Sequence, residues 1–130
     1  MQIIVDTSII IAVLVNEPTK EKIIEATRDA DLIAPAALHY EVGNALSALM
    51  KKKKIELETI KKLFRYYCEI PIKFIDPDLI KSLEIANKLN IYAYDAYYLE
   101  CAKRLNLPLF TLDRGMINSA KKLKINYIEV

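Results

Sequence analysis

Short runs of branched apolar residues alternate along the chain with longer stretches in which apolar residues recur every three or four positions. The first run, Gln2 to Val5, ends at Asp6 and reads as a buried strand. Ser8 to Val15 follows as a helix that stops before Pro18, and Glu17-Pro18 opens a second helix reaching about Arg28. Asp29 to Asp31 form a turn, and Leu32 to Ala34 a short strand ended by Pro35. From Ala36 to about Lys53, the residues Leu38, Val42, Ala45, Leu46 and Leu49 recur at helical spacing. A charged segment from Glu56 to Tyr67 is also expected to be helical, and Ile72 to Ile75 makes a third strand after Pro71. Asp76-Pro77 offers an N-cap and first-turn pair for a helix ending near Leu89. Asp95 opens the next helix, carried by Ala96, Leu99, Ala102 and Leu105. Pro108 to Leu112 reads as a strand, Arg114 to Lys122 as a helix, and Asn126 to Val130 as a closing strand.

Strands alternating with helices predict an α/β protein with three layers, α/β/α, around a short, mostly parallel central sheet. A chain of 130 residues suits one domain, expected over 1–130, since no linker, repeat or low-complexity segment divides it. The longest apolar run, Ile9 to Val15, falls far below the ~20 residues of a spanning helix. Asp6 interrupts the N-terminal apolar stretch, and no basic segment precedes it, so neither a membrane partner nor a signal peptide is expected.

Composition removes several chemistries. Gly43 and Gly115, the two glycines, stand too far apart for a phosphate loop or a dinucleotide fingerprint. His39 is the single histidine, which disfavours a Ser–His–Asp triad or a His-rich zinc site. Cys68 and Cys101 lack CxxC spacing and read as free thiols of an intracellular, cytoplasmic protein. The net charge of +2 neither demands nor excludes a nucleic acid.

Acids remain. Open parallel sheets bind ligands beyond the carboxyl ends of their strands. Asp6 and Asp113 each follow a strand directly, either as site residues or as helix caps. Glu41 lies one residue outside the core stripe of its helix, aligned with Ala45 and Ala48, either as a snorkelling surface acid or as a carboxylate needing a positive partner. Asp95 shares a stripe with Leu99 and Ala102, as a cap or as an inward acid. Carboxylates alone make a hard-oxygen site suited to Mg²⁺ or Mn²⁺ rather than zinc. Such a site can activate water and neutralise a phosphodiester without histidine or a glycine loop. Asp76, Asp78, Glu84 and Glu100 read as cap, first-turn or surface acids, and His39 as a packing residue. The lysines at 51–54, together with Lys61, Lys62, Arg65 and above all Arg114, are candidates for phosphate contact or simply solvated cations. Tyr92, Tyr94, Tyr97 and Tyr98 are shared between core, interface and RNA contact.

At the four acids the sequence resembles the PIN-domain ribonucleases, especially the toxin subunits called VapC. Asp6-Thr7-Ser8 is similar to the family's opening motif, and Glu41-Val42-Gly43-Asn44-Ala45-Leu46 to its acidic helix position. Tyr94-Asp95-Ala96-Tyr97-Tyr98-Leu99 resembles its most distinctive stretch, and Thr111-Leu112-Asp113 its last. The likeness runs from Ile3 to Val130. It implies a PIN-like fold and a Mg²⁺- or Mn²⁺-dependent endoribonuclease, the toxin of a toxin–antitoxin pair. Asp6, Glu41, Asp95 and Asp113 would then hold the metal and its water. Ser8 and Thr111 would hydrogen-bond carboxylates or a phosphate, Ser8 remaining equally a plain helix cap. The likeness further implies a homodimer or higher even-numbered oligomer, and an antitoxin peptide in a groove near the acids. Ile10, Ile11, Leu14, Ile23 and Ile24 are candidates for lining that groove. Many relatives carry another acid shortly after the fourth, whereas here Gly115 and Met116 follow Arg114, which favours one ion over two. A catalytically silent RNA- or protein-binding module and a housekeeping RNA-processing nuclease are the alternatives.

Overall fold

The computed structural model describes every residue from Met1 to Val130. Five strands and seven helices follow one another as β1 (Gln2–Val5), α1 (Thr7–Leu14), α2 (Lys20–Thr27), β2 (Asp31–Pro35), α3 (Ala37–Lys51), α4 (Leu57–Glu69), β3 (Ile72–Ile75), α5 (Leu79–Leu89), α6 (Ala93–Leu105), β4 (Leu109–Phe110), α7 (Arg114–Lys122) and β5 (Tyr127–Ile128). The strands form one sheet in the order β3-β2-β1-β4-β5. Every pairing is parallel, so the expected mostly parallel sheet is wholly so. Connections from β1 to β2 and from β2 to β3 run one way across the sheet, and those to β4 and β5 run the other. Right-handed crossovers therefore set α1–α4 on one face and α5–α7 on the opposite face.

Ile3, Ile4 and Val5 of the central strand have no exposed surface, as a strand covered on both faces requires. They belong to a single cluster of 24 buried residues that includes Leu38, Val42 and Leu46 of α3 and Leu99 and Ala102 of α6. No helix is long and apolar enough to cross a membrane. Both cysteines are unpaired, Cys68 exposed and Cys101 buried.

Four local expectations are corrected. The cap of α5 is Asp78, whose side chain accepts from the Lys81 N–H (3.0 Å), not Asp76. The carbonyl of Asp76 is instead held by the Arg104 guanidinium (2.9 Å), and the Asp78 N–H by Glu100 (2.6 Å). Glu100, expected at the surface, is thus buried, with only 2% of its area exposed. Helix α6 begins at Ala93, which puts Asp95 inside its first turn rather than at its opening. The strand expected over Pro108 to Leu112 contracts to two residues. Beyond Phe110 the backbone amides turn to side chains, the Leu112 N–H to the Ser8 hydroxyl (2.9 Å) and the Asp113 N–H to the Thr111 hydroxyl (3.0 Å). Asn90 and Asn106 end α5 and α6 in left-handed conformation, which asparagine tolerates.

Candidate functional site

Strands β1 and β4 pair directly, Val5 opposite Phe110, so their carboxyl ends are neighbours where the chain connections diverge. Asp6 leaves β1 as the N-cap of α1. Its Oδ1 accepts from the backbone of Ser8 (3.1 Å) and Ile9 (3.4 Å) and from the Ser8 hydroxyl (2.6 Å). Its Oδ2 accepts from the Thr111 hydroxyl (2.5 Å). Ser8 and Thr111 therefore clasp one carboxylate while also receiving the two amides that end β4. Asp113 caps α7, with Oδ1 accepting from Gly115 (2.7 Å) and Met116 (3.3 Å). A Cβ at Gly115 would stand 3.1 Å from that oxygen, so any side chain there would crowd the cap.

Glu41 projects from the second turn of α3, and its Oε2 accepts a very short hydrogen bond from the Tyr98 hydroxyl of α6. The Tyr98 oxygen also lies 3.4 Å from the Thr7 hydroxyl. Asp95, one turn before Tyr98 on α6, is half-buried.

Asp6, Glu41 and Asp95 each feel burial and a neighbouring acid. Burial raises the Asp6 carboxyl above the usual range, the hydroxyls of Ser8 and Thr111 oppose that rise, and the charge of Asp113 adds to it. Glu41 is raised by burial, opposed by Tyr98, and raised further by Asp95 and Asp6. Asp95 is raised by burial and then by Asp113, with no hydrogen bond to offset either. No cation answers these charges. The ion pairs of the chain are Arg28–Glu25, Lys61–Glu58, Arg104–Glu100 and Arg114–Glu129. Arg114, the basic residue expected nearest the site, turns its guanidinium to Glu129 (2.8 Å) at the exposed surface.

An all-oxygen donor set, in which Asp6, Glu41 and Asp95 are buried or half-buried and Asp113 is exposed, fits a hard divalent cation in its chemistry. No three acidic, histidine or cysteine side chains stand close enough to share one ion. The arrangement therefore suits a cation held by one or two carboxylates and otherwise by water, the usual habit of Mg²⁺.

Two residues of this region were not singled out by sequence. Tyr98 was grouped with its tyrosine neighbours, although only 1% of it is exposed. A tyrosine on an inward helical stripe requires a partner for its hydroxyl, and an acid elsewhere in the sequence was the available signal. Thr7 carried no signal beyond its place between Asp6 and Ser8. His39 packs as expected, its ring 4.1 Å from that of Phe74 and its Nδ1 2.9 Å from the Tyr67 hydroxyl.

Two apolar surfaces lie outside the cleft. A groove of about 490 Å³ between the end of α1, the start of α2 and α4 is lined by Val13, Leu14, Ile55, Leu63, Tyr66 and Ile70. Of Ile10, Ile11, Leu14, Ile23 and Ile24, candidates for a groove near the acids, Leu14 lines this one; Ile10 and Ile23 are buried in the core, Ile11 packs against it, and Ile24 is exposed. On α5, Leu79, Ile80 and Leu83 are exposed to 59%, 72% and 59%.

The family model for the PIN domain matches residues 3–122. No curated protein matches the chain. Among solved structures, PAE2754 from Pyrobaculum aerophilum is similar at a TM-score of 0.73 and 22% identity, covering 92% of this chain and 79% of that one. VapBC2 from Rickettsia felis, bound to a promoter DNA fragment, gives 0.71 and 16%, covering 98% of each chain. VapC20 from Mycobacterium tuberculosis, a sarcin–ricin loop cleaving toxin, gives 0.64 and 11%, covering 90% of this chain and 94% of that one.

Proposed function

The chain belongs to the PIN domain family, and from that premise we propose that it is a metal-dependent endoribonuclease, the toxin subunit of a toxin–antitoxin pair acting in the cytoplasm. The observation that carries this reading is the group of part-buried acids Asp6, Glu41 and Asp95, raised in part by one another and by Asp113, with no cation among them. A buried carboxylate kept for stability is expected to be paired. These are not, and the cost is explained by a ligand that supplies the charge.

Of Asp6, Glu41, Asp95 and Asp113, one or two would hold a Mg²⁺ or Mn²⁺ directly and the others through its water; when bound, the ion lowers the pKa of that water and neutralises charge on a phosphodiester. The chain's own part is placement. Four donors fix both oxygens of Asp6, so it meets a cation without losing side-chain freedom at that moment. The Asp113 oxygen not used in capping and the Asp95 carboxylate complete the acidic wall. Gly115 and Met116 follow Arg114 where a further acid would stand, which supports a single ion.

The partners follow from the two apolar surfaces. The groove beside α1, α2 and α4 suits an apolar antitoxin segment, and the α5 face suits a second copy of the chain in a homodimer or a higher even-numbered oligomer. Two of the similar structures carry names of the VapBC and VapC type, which supports a toxin role over general RNA processing.

Incubation of the purified chain with single-stranded and structured RNA, with Mg²⁺ or Mn²⁺ and then with EDTA, tests the reading. Cleavage that needs the ion and stops with chelator is expected. Metal-independent cleavage, full activity in Asp6→Asn, or RNA binding without any cleavage would overturn it, the last in favour of a silent binding module.

A further inference from the structure

We propose that Tyr98 is a positioning residue of the acidic cleft, its buried hydroxyl fixing the Glu41 carboxylate toward Asp6 and Asp95 and tying α1, α3 and α6 together at the site. The inference rests on the metal-site reading above and names a residue outside the four acids.

The Tyr98 ring is almost wholly enclosed and belongs to the main hydrophobic cluster, so its hydroxyl is presented from a rigid support. A phenol has one proton and an ionised carboxylate can only accept, which commits that proton to Glu41 Oε2. The Thr7 hydroxyl lies 3.4 Å from the Tyr98 oxygen and also acts on the Glu41 carboxylate. Thr7, Tyr98 and Glu41 thus form one small cluster of hydroxyls around a carboxylate. Thr7 adjoins Asp6 in sequence, and Tyr98 stands one helical turn after Asp95, on the same face of α6. One hydroxyl thereby registers three acids that come from three separate helices or helix caps.

Glutamate is long and flexible, and on the border of its helix it has an open route to solvent. Ser8 and Thr111 restrain Asp6, and backbone amides restrain Asp113. Glu41 has Tyr98 in the same role. Partners of this kind around metal-binding carboxylates typically change metal affinity by about 10–100-fold when removed.

Tyr98→Phe removes the hydroxyl and keeps the ring, so the core remains filled. Mn²⁺ titration by calorimetry, RNA binding measured in EDTA, and thermal melting are compared for the wild type, Y98F and T7V. The expected result is Mn²⁺ binding weaker by about 10–100-fold in Y98F, weaker by less in T7V, and metal-free RNA binding unchanged in both. Equal Mn²⁺ affinity in the wild type and Y98F, with only the melting temperature lowered, would show a structural tyrosine and overturn the inference alone. A wild-type chain that binds no Mn²⁺ would overturn both the inference and the reading beneath it.

Discussion

Asp6 and Glu100 are both buried carboxylates, exposed to 6% and 2%, yet they are treated in opposite ways. Both oxygens of Glu100 share the Arg104 Nε–H, at 2.9 and 3.2 Å, and Oε1 also accepts from the Asp78 N–H at 2.6 Å. Arg104 passes the connection on to the Asp76 carbonyl, so this acid stitches the entry of α5 to the middle of α6. Asp6 has hydrogen bonds on both oxygens but no cation, and the charge it feels is that of Asp113. One acid is neutralised within the fold. The other is held in place without a cation, as the proposed site requires.

Substitution separates the two most sharply. Asp6→Asn is expected to lower RNA cleavage by roughly 10²–10³-fold, the loss typical of one well-placed electrostatic group. Its melting temperature should stay level or rise, because a buried charge without a cation is removed. Glu100→Ala should do the reverse. It orphans the Asp78 N–H and unpairs Arg104, losing about 2–3 kcal/mol, roughly 5–10 °C of melting temperature, with cleavage unchanged where the chain is folded. If both variants lost activity and stability alike, the distinction between them would collapse.

A pH series probes the same contrast more gently. Burial holds Asp6, Glu41 and Asp95 above their unfolded pKa values. In the window between unfolded and folded values the folded chain binds more protons, so the stability these groups contribute is fully present below the unfolded pKa. It is lost as pH rises through the folded values. Melting of the metal-free chain should therefore fall from about pH 4.5 upward, Asp6→Asn should flatten that fall, and Mn²⁺ at neutral pH should restore much of it. A slope unaltered by Asp6→Asn would remove Asp6 from the account. The smallest effect is reserved for the exposed pair Arg114–Glu129, where Arg114→Ala should change stability by less than about 0.5 kcal/mol.

Much of this was legible in sequence, and the exceptions are instructive. The alternation of elements, and the places of Asp6 and Asp113 after β1 and β4, follow from local pattern alone. The expected roles of Asp6 and Asp113 as helix caps are realised, at the carboxyl ends of the neighbouring strands β1 and β4. Errors arose where distant side chains decide the local structure. The choice between Asp76 and Asp78 as cap is made by Glu100 and Arg104, more than 20 residues away in the chain. Glu100 itself carries no sign of burial, since its partner is an arginine at i+4, a pattern equally common on exposed helices. The shortness of β4 is set by the hydroxyls of Ser8 and Thr111, which capture amides a longer ladder would use. The bond from Tyr98 to Glu41 spans 57 positions and three elements, beyond any local periodicity.

The most direct test of the central claim is the crystal structure of the chain with Mn²⁺, read from the anomalous scattering of the ion. The account predicts one ion at the carboxyl ends of β1 and β4, ligated by Asp6 together with Asp95 or Asp113 and by water, with Glu41 holding that water or a ligand position. An ion bound elsewhere, or a cleft that stays empty at saturating Mn²⁺, would contradict it.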